Sequence, residues 1–395
     1  MSVQRIPRGV VALGFVSLFM DVSSEMIHSL LPLFLVSVLN TSALTFGVIE
    51  GVAEASTAIT KLFSGVVSDW WGKRKPLLLI GYGLAALVRP IFPLATTATE
   101  VFGARLIDRI GKGIRGAPRD ALVADITPPD RRGAAYGLRQ SMDSVGAFVG
   151  PLIALGIMAF GNDVRLVFWV AAVPAAMSVL IVALMIHEPT VHGAEHRRFP
   201  IQRSQLRALP RHYWLVVGLA GVFTLARFSE GFLLLRAAQT GLSPALVPGV
   251  LVLMNLLYFL SAYPLGRLAD RYDRRRLLVA GMGVLVLADL MLAWAGNVRW
   301  VLAGAMMWGL HMGATQGLFA ALVGDAAPTD LRGTAFGLFN LVNGLALLGA
   351  SIIAGSLWSG IGPNATFLVG AAFAVVSGAG LLGARGWWPK KPTSM

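Results

Sequence analysis

Residues 103–120 read GARLIDRIGKGIRGAPRD. Arg105, Arg109, Lys112, Arg115 and Arg119 fall in that run, with Asp108 among them. The run also holds Gly111-Lys112-Gly113-Ile114-Arg115-Gly116, the G-x-G-x-x-G spelling of a dinucleotide-binding loop. Such a loop works only after a strand and before a helix in a soluble βαβ unit. Its surroundings therefore decide the fold. Over 395 residues the chain is 56 % hydrophobic and 13 % charged, against about 25 % charged in ordinary soluble domains. Mean hydropathy is +0.70. Apolar runs recur near 20 residues, roughly the helix length that crosses 30 Å of hydrocarbon. They lack the period-2 alternation of barrel strands, and only helices or closed barrels satisfy their backbones in lipid. The glycine-rich run lies inside one such segment, which argues against the nucleotide reading.

Working outward, hydropathy predicts twelve spans near 10–39, 45–68, 75–95, 99–122, 133–159, 165–187, 213–236, 244–267, 276–295, 299–323, 333–358 and 364–385. The first runs into Asp21-Val22-Ser23-Ser24-Glu25 without a small-residue cleavage pattern, so it reads as a retained span. The longest polar gap, 188–212, predicts an N-terminal bundle at 1–187, a linker at 188–212 and a C-terminal bundle at 213–395. Arg5, Arg8, Lys73 to Lys75, Arg131, Arg132, the linker, Arg267 to Arg276, Arg332, Lys390 and Lys391 share one side. The other side offers little beyond Arg165, Arg236 and Arg299. By the positive-inside rule both termini and the linker face the cytoplasm of an inner or plasma membrane. The same rule accounts for the net charge of +13 without nucleic acid.

The halves repeat. ALVADITPPDRRGAAYGL at 121–138 returns as ALVGDAAPTDLRGTAFGL at 321–338, and GVVSDWWGKRK at 65–75 as GRLADRYDRRR at 266–276. A duplicated six-helix unit marks a transporter whose two bundles rock about a central site. The 65–75 loop resembles the G-x-x-x-D-x-x-G-[RK]-[RK] loop of the major facilitator superfamily, on Gly65, Asp69, Gly72, Lys73 and Arg74. The second copy keeps Gly266, Asp270, Arg274 and Arg275 but has Asp273 for the second glycine. The resemblance covers essentially the full chain and implies an all-α fold of two pseudo-symmetric six-helix bundles, with this loop as a gating latch. Asp69 is expected to meet a helix N-terminus there, and Gly65 to let span two pack closely.

Gly137, Gly146, Gly150 and Pro151 resemble the span-five signature of the superfamily's proton-coupled drug exporters, although Ala154 and Leu155 stand where two more glycines belong. Arg105 and Gly111 match the exporters' span-four pattern R-x-x-Q-G-x-G, with Asp108 and Arg109 replacing the Gln and first Gly. The resemblance implies proton-coupled export of a small organic molecule by a monomer in lipid, with no enzymatic activity and no cofactor.

On a helix at about 100° per residue the charges of 105–119 fall in an arc of roughly 120°. Such a stripe has to face water or buried acids, because a lipid-facing charge costs several kcal/mol. Candidate partners are Asp21, Glu25 and His28 on one face of span one, Glu50 and Glu54 with Lys61 on span two, and Arg139, Gln140 and Asp143 on span five. Asp21 or Glu25 is the expected proton carrier, tuned by Arg105, Arg109 and Lys112; packing glue is the plain alternative for these pairs. The second half offers Arg227, Glu230, Arg236, Asn255, Asp289, His311, Gln316, Asn340 and Asn343. Of these Arg227, Glu230, His311, Gln316, Asn340 and Asn343, with His28 and Gln140, are candidate substrate contacts. Phe223, Phe228, Phe232, Tyr258 and Trp308 are candidate apolar walls.

Two further transport readings stay open: uptake or exchange of an organic anion, suggested by the basic stripe, and divalent-metal export using Asp21, Glu25 and His28. A non-transport sensor or scaffold would carry neutral cavity faces. His187, Glu188, His192, Glu195 and His196 read as a solvated loop. With no cysteine, disulfides and thiolate metal sites are excluded, and no Walker loop, zincin helix or nucleophile elbow occurs.

Overall fold

The computed structural model describes residues 6–188, 208–328 and 331–383, without the side chains of 269–271, 320, 332 and 333. Most of the expected linker, 189–207, lies outside the described residues, as does the side chain of Asp270. Among the described residues every regular element is helical. Spans one to six are Arg8–Val38, Ala43–Trp71, Lys75–Leu94, Ala98–Asp125, Arg132–Gly161 and Val164–Met185. Spans eight to twelve are Pro248–Arg271, Arg274–Ala293, Val298–Ala326, Arg332–Gly360 and Pro363–Gly383.

Span seven is two helices, Arg211–Leu225 and Gly231–Gln239, where the hydropathy pattern predicts one. Span one also departs from a single helix: Arg8–His28 ends at Ser29, and after Leu31–Leu33 a π segment runs through Phe34–Val38. Eight spans are apolar and long enough to cross a membrane by composition alone. The remaining four are two, four, seven and ten. Spans two and four carry buried charges, seven is interrupted, and ten holds buried His311 and Thr315.

Local chemistry sets the ends. Ser42 accepts the Thr45 N–H at 3.1 Å to start span two. Thr97 and Glu100 form a reciprocal capping box at span four. Asp163, Asp273 and Asn297 cap spans six, nine and ten through backbone N–H groups two residues on. Span two stops at Gly72, whose φ of 68° is left-handed and suits glycine.

The repeat is visible in the ion pairs. Arg74 reaches Asp125 at 3.4 Å, and Arg274 reaches Asp325 at 2.6 Å, in the same place of each half. The halves meet along spans two and eleven, which run antiparallel with backbone-close contacts at Gly47 on Ser351, Gly51 on Leu348, and Gly355 on Ala43 and Leu44. Further along, Gly344 faces Ala58 and Gly337 faces Leu62. Spans five and eight touch where the Asn255 amide donates to the Ala147 carbonyl at 3.1 Å. Near the Leu44 end, Phe46 and Phe232 meet edge-to-face at 5.2 Å, and Ser359 accepts the Leu44 N–H at 3.1 Å.

Candidate functional site

Span four is held between spans two and three by its glycines. A Cβ at Gly111 would come within 2.6 Å of the Gly81 carbonyl oxygen, and one at Gly113 within 2.8 Å of that of Thr57. Ser64 and Thr57 donate to the Gly113 and Arg109 carbonyls at 2.9 and 3.1 Å. That close approach brings the charged stripe against partners on three neighbours.

Toward span two, Arg105 grips Glu50 with two bonds, 2.7 and 3.0 Å, and both side chains are essentially buried. Arg109 reaches Glu54 at 3.1 Å. Toward span three, Asp108 accepts from Arg89 at 3.0 Å and stands 3.6 Å from Arg105. Arg89 is wholly buried and also donates to Ser24 at 2.9 Å. Its neighbour Pro90 and the approaching end of the apolar run make it look like an interfacial residue in sequence; the signal was a charge lying several residues inside that run. Arg115 stacks on Tyr82 at 4.7 Å and donates to the Gly81 carbonyl at 3.3 Å. Arg119 turns to span one, donating to Ser17 at 3.0 Å, and to Asp120 at 3.3 Å. Arg139 binds Asp143 at 2.6 Å and Gln140 at 3.0 Å, so Gln140 is engaged within its own helix.

Asp21 and Glu25 differ from these acids. Both are half-buried, and neither carboxylate has a hydrogen bond or ion pair to a described residue. Asp21 lies within electrostatic reach of Lys112, Arg119 and Asp143. Arg105 and Arg109, expected to tune it, are instead taken by Glu50 and Glu54. The metal reading is corrected here. Asp21, Glu25 and His28 spread over seven residues, about 10 Å of helix rise, too far for one ion with ligands near 2 Å. No cluster of three His, Asp or Glu side chains able to hold a metal occurs among the described residues.

His28 links the halves. Its Nδ1 lies 3.3 Å from the Arg105 guanidinium and 3.8 Å from Glu50, and its Nε2 lies 3.6 Å from Glu230 in the break of span seven. A cavity of about 430 Å³ opens at this junction. His28, Glu50, Glu54 and Lys61 line it from the first half, and Arg227, Glu230, Asn340 and Asn343 from the second. Phe228 is the aromatic wall; Phe223, Phe232 and Trp308 pack behind it in an aromatic cluster. His311 is buried in that cluster, edge-on to Trp308. Asp289 is fully buried, and neither of its oxygens has a partner among the described residues. Gln316 stands apart, accepting from Tyr258 at 3.1 Å beside a second cavity of about 330 Å³ that Gly266 and Arg274 also line.

At the 65–75 loop, Arg74 binds Asp69 at 2.7 Å and Asp125 at 3.4 Å. The free N–H groups opening span three go to Glu188, which accepts from Arg74 and Lys75. Gly65 packs on Ala117 of span four. In span five, Gly146 and Gly150 sit against span one at the Leu18 and Val22 carbonyls, whereas nothing lies within 4 Å of a Cβ placed on Gly137. Pro151 continues the helix without interrupting it.

The sequence profile of the Major Facilitator Superfamily matches residues 13–348 and again 224–394. The chain belongs to that superfamily. An uncharacterized MFS-type transporter of Methanocaldococcus jannaschii is 30 % identical over 386 residues, covering 96 % of this chain and 95 % of that one. Multidrug resistance protein MdtH of Photorhabdus laumondii is 25 % identical over 352 residues, covering 88 % and 84 %. A crystal structure of a POT family transporter with a thioalcohol-conjugated peptide superposes with a TM-score of 0.82 at 14 % identity, covering 97 % of each chain. As a facilitator the protein is a membrane-spanning transporter of twelve helices in two six-helix bundles and not an enzyme.

Proposed function

We propose that this facilitator exports a small organic molecule across the cytoplasmic membrane in exchange for protons, by alternating access to the 430 Å³ cavity. The observation that carries the proton coupling is the contrast among acids. Glu50, Glu54, Asp108 and Asp143 are each bound to arginine, while Asp21 lines a cavity with no such bond and Glu25 stands unbound one turn on. A carboxylate in that position is free to gain and lose a proton as its exposure changes. The named function of the multidrug-resistance relative supports the outward direction. The His28–Glu230 contact, with Arg227 and the two asparagines, gives the substrate walls from both halves, so binding and rearrangement are coupled.

The bundle limits 1–187 and 213–395, joined by a cytoplasmic linker, agree with the 200-residue recurrence of helices and ion pairs. The basic loops support cytoplasmic termini. A monomer suffices, since the cavity is made within one chain.

The test is proton movement in liposomes containing the purified protein and an internal pH-sensitive dye, screened against organic anions, zwitterions and cations. A substrate should drive proton flux in wild type and not in Asp21→Asn/Glu25→Gln. Full flux in that double variant refutes the assignment.

A further inference from the structure

Next to the central cavity lies a smaller one of about 110 Å³, enclosed by spans one to four. Thr57 and Lys61 line both, so the two adjoin. Lys61, Lys112, Arg115 and Arg119 face the small recess against one carboxylate, Asp21. Elsewhere in this bundle each buried arginine meets an acid: Arg105 has Glu50, Arg109 has Glu54 and Arg89 has Asp108. Here neither the Lys61 nor the Lys112 ammonium group has a hydrogen bond or ion pair to a described residue. Tyr82 is buried in the wall of the recess, and its hydroxyl has no partner among the described residues. Ser17 accepts from Arg119 and keeps its own proton free to donate. Two lysines without acids, Lys61 half-buried and Lys112 exposed, beside an unused O–H donor have the chemistry of an anion receptor.

We infer that the recess formed by Lys61, Lys112, Arg119 and Tyr82 receives an oxyanion, the carboxylate, phosphate or sulfonate head group of the transported molecule. Size divides the ligand. At about 110 Å³ the recess is about a quarter of the adjoining cavity and suits a head group. The adjoining 430 Å³ cavity falls in the range of about 300–1,000 Å³ that holds drug-sized bodies. The substrate is therefore an organic anion whose head lies between spans one and four and whose body meets Arg227, Asn340 and Asn343. Asp21 in the wall keeps the recess from holding the anion irreversibly and places the proposed proton site beside the bound charge. The inference rests on the central cavity being the transport path, but its test is binding, which needs no proton coupling.

The experiment is a melting-temperature titration of the full chain in phosphatidylcholine nanodiscs, with benzoate, phenylphosphonate, benzenesulfonate and inorganic phosphate against benzylammonium and benzyl alcohol. The oxyanions should raise the melting temperature in a saturable way, and benzylammonium and benzyl alcohol should not. Lys112→Gln and Lys61→Gln should each weaken the oxyanion Kd about tenfold, the order of one charge-assisted hydrogen bond. Lys112→Arg should retain binding, and Arg299→Gln at the far end of span ten should leave it unchanged. No response to any oxyanion, equal response to benzylammonium, or undiminished binding in the Lys61→Gln/Lys112→Gln double variant overturns the inference. Stabilisation that appears only when phosphatidylglycerol is added assigns the recess to a lipid head group and overturns it too. Oxyanion binding that persists while Asp21→Asn/Glu25→Gln keeps full proton flux sinks the coupling proposal and leaves this one standing.

Discussion

Replacing Glu50 with glutamine removes one charge from an ion pair as enclosed as any among the described residues. Arg105 and Glu50 have side-chain exposures of 0 % and 2 % and share two bonds of 2.7 and 3.0 Å. Taking away one partner of a buried pair costs roughly 3–5 kcal/mol, most of it the stranded charge. Here the glutamine oxygen retains one bond to Arg105, and Asp108 remains 3.6 Å away. Those two features lower the expected cost to about 2–3 kcal/mol. Arg105→Met should strand Glu50 at similar cost, His28 at 3.8 Å offering partial relief. The double variant leaves no charge exposed to the mismatch, so the cycle should show a coupling of about 2 kcal/mol. Unfolding in mixed micelles with increasing dodecyl sulfate, followed by tryptophan fluorescence, reads these differences. Glu54→Gln is the internal comparison: its carboxylate is 28 % exposed and holds a single 3.1 Å contact to the buried Arg109, so its loss should cost about 1–2 kcal/mol, less than that of Glu50. A Glu50→Gln cost below that of Glu54→Gln, or a cycle additive within about 0.5 kcal/mol, would refute the reasoning.

Other consequences are equally accessible. Gly150→Ala puts a Cβ 2.8 Å from the Val22 carbonyl oxygen and the Glu25 Cβ, so it should cost about 1–3 kcal/mol in the same unfolding assay, while Gly137→Ala, facing open space, should cost nothing measurable. Gly72→Ala forces a side chain into the left-handed region at φ 68° and should destabilise by about 1 kcal/mol. Asp325→Asn breaks the contact to Arg274 on a carboxylate 62 % exposed; its stability should change by less than about 1 kcal/mol, and any larger effect should appear in transport rate. Glu230→Gln should slow transport in liposomes more than it lowers stability, because Glu230 is one-third exposed and its contact with His28 crosses the two halves.

The sequence made the span count legible because apolar runs recur along the chain and the halves repeat, and because caps such as Ser42, Thr97, Asp163 and Asn297 mark helix starts. It hid the breaks in spans one and seven. Residues 226–230, ARFSE, contain neither proline nor glycine, and hydropathy averaged over a whole span cannot register five unwound residues. The stripe on span four was legible as charge needing partners, but the choice of partner was not. Glu50, Glu54, Asp21 and Glu25 are alike in sequence; only the packing of spans one and two against span four gives two of them arginines and leaves two without. Arg74–Asp125 and Arg274–Asp325 could have been found, since each residue recurs 200 positions later and a pair conserved across the duplication suggests contact. Glu188 could not, because it reads as part of a polar linker until the fold brings it to the start of span three.

The seam of spans two and eleven has a further consequence. From Ala43 to Leu62 its contacts extend over nineteen residues, about 28 Å of helix, close to the full hydrocarbon thickness of roughly 30 Å. Helices this closely meshed cannot part without leaving a gap through the middle of the bilayer, so under the proposed alternating access they serve as the axle about which the halves roll. A larger side chain at Gly47 or Gly355 becomes a wedge beside that axle. It changes the tilt at which the molecule rests, and so which face of the membrane the pathway meets, without touching anything that is carried.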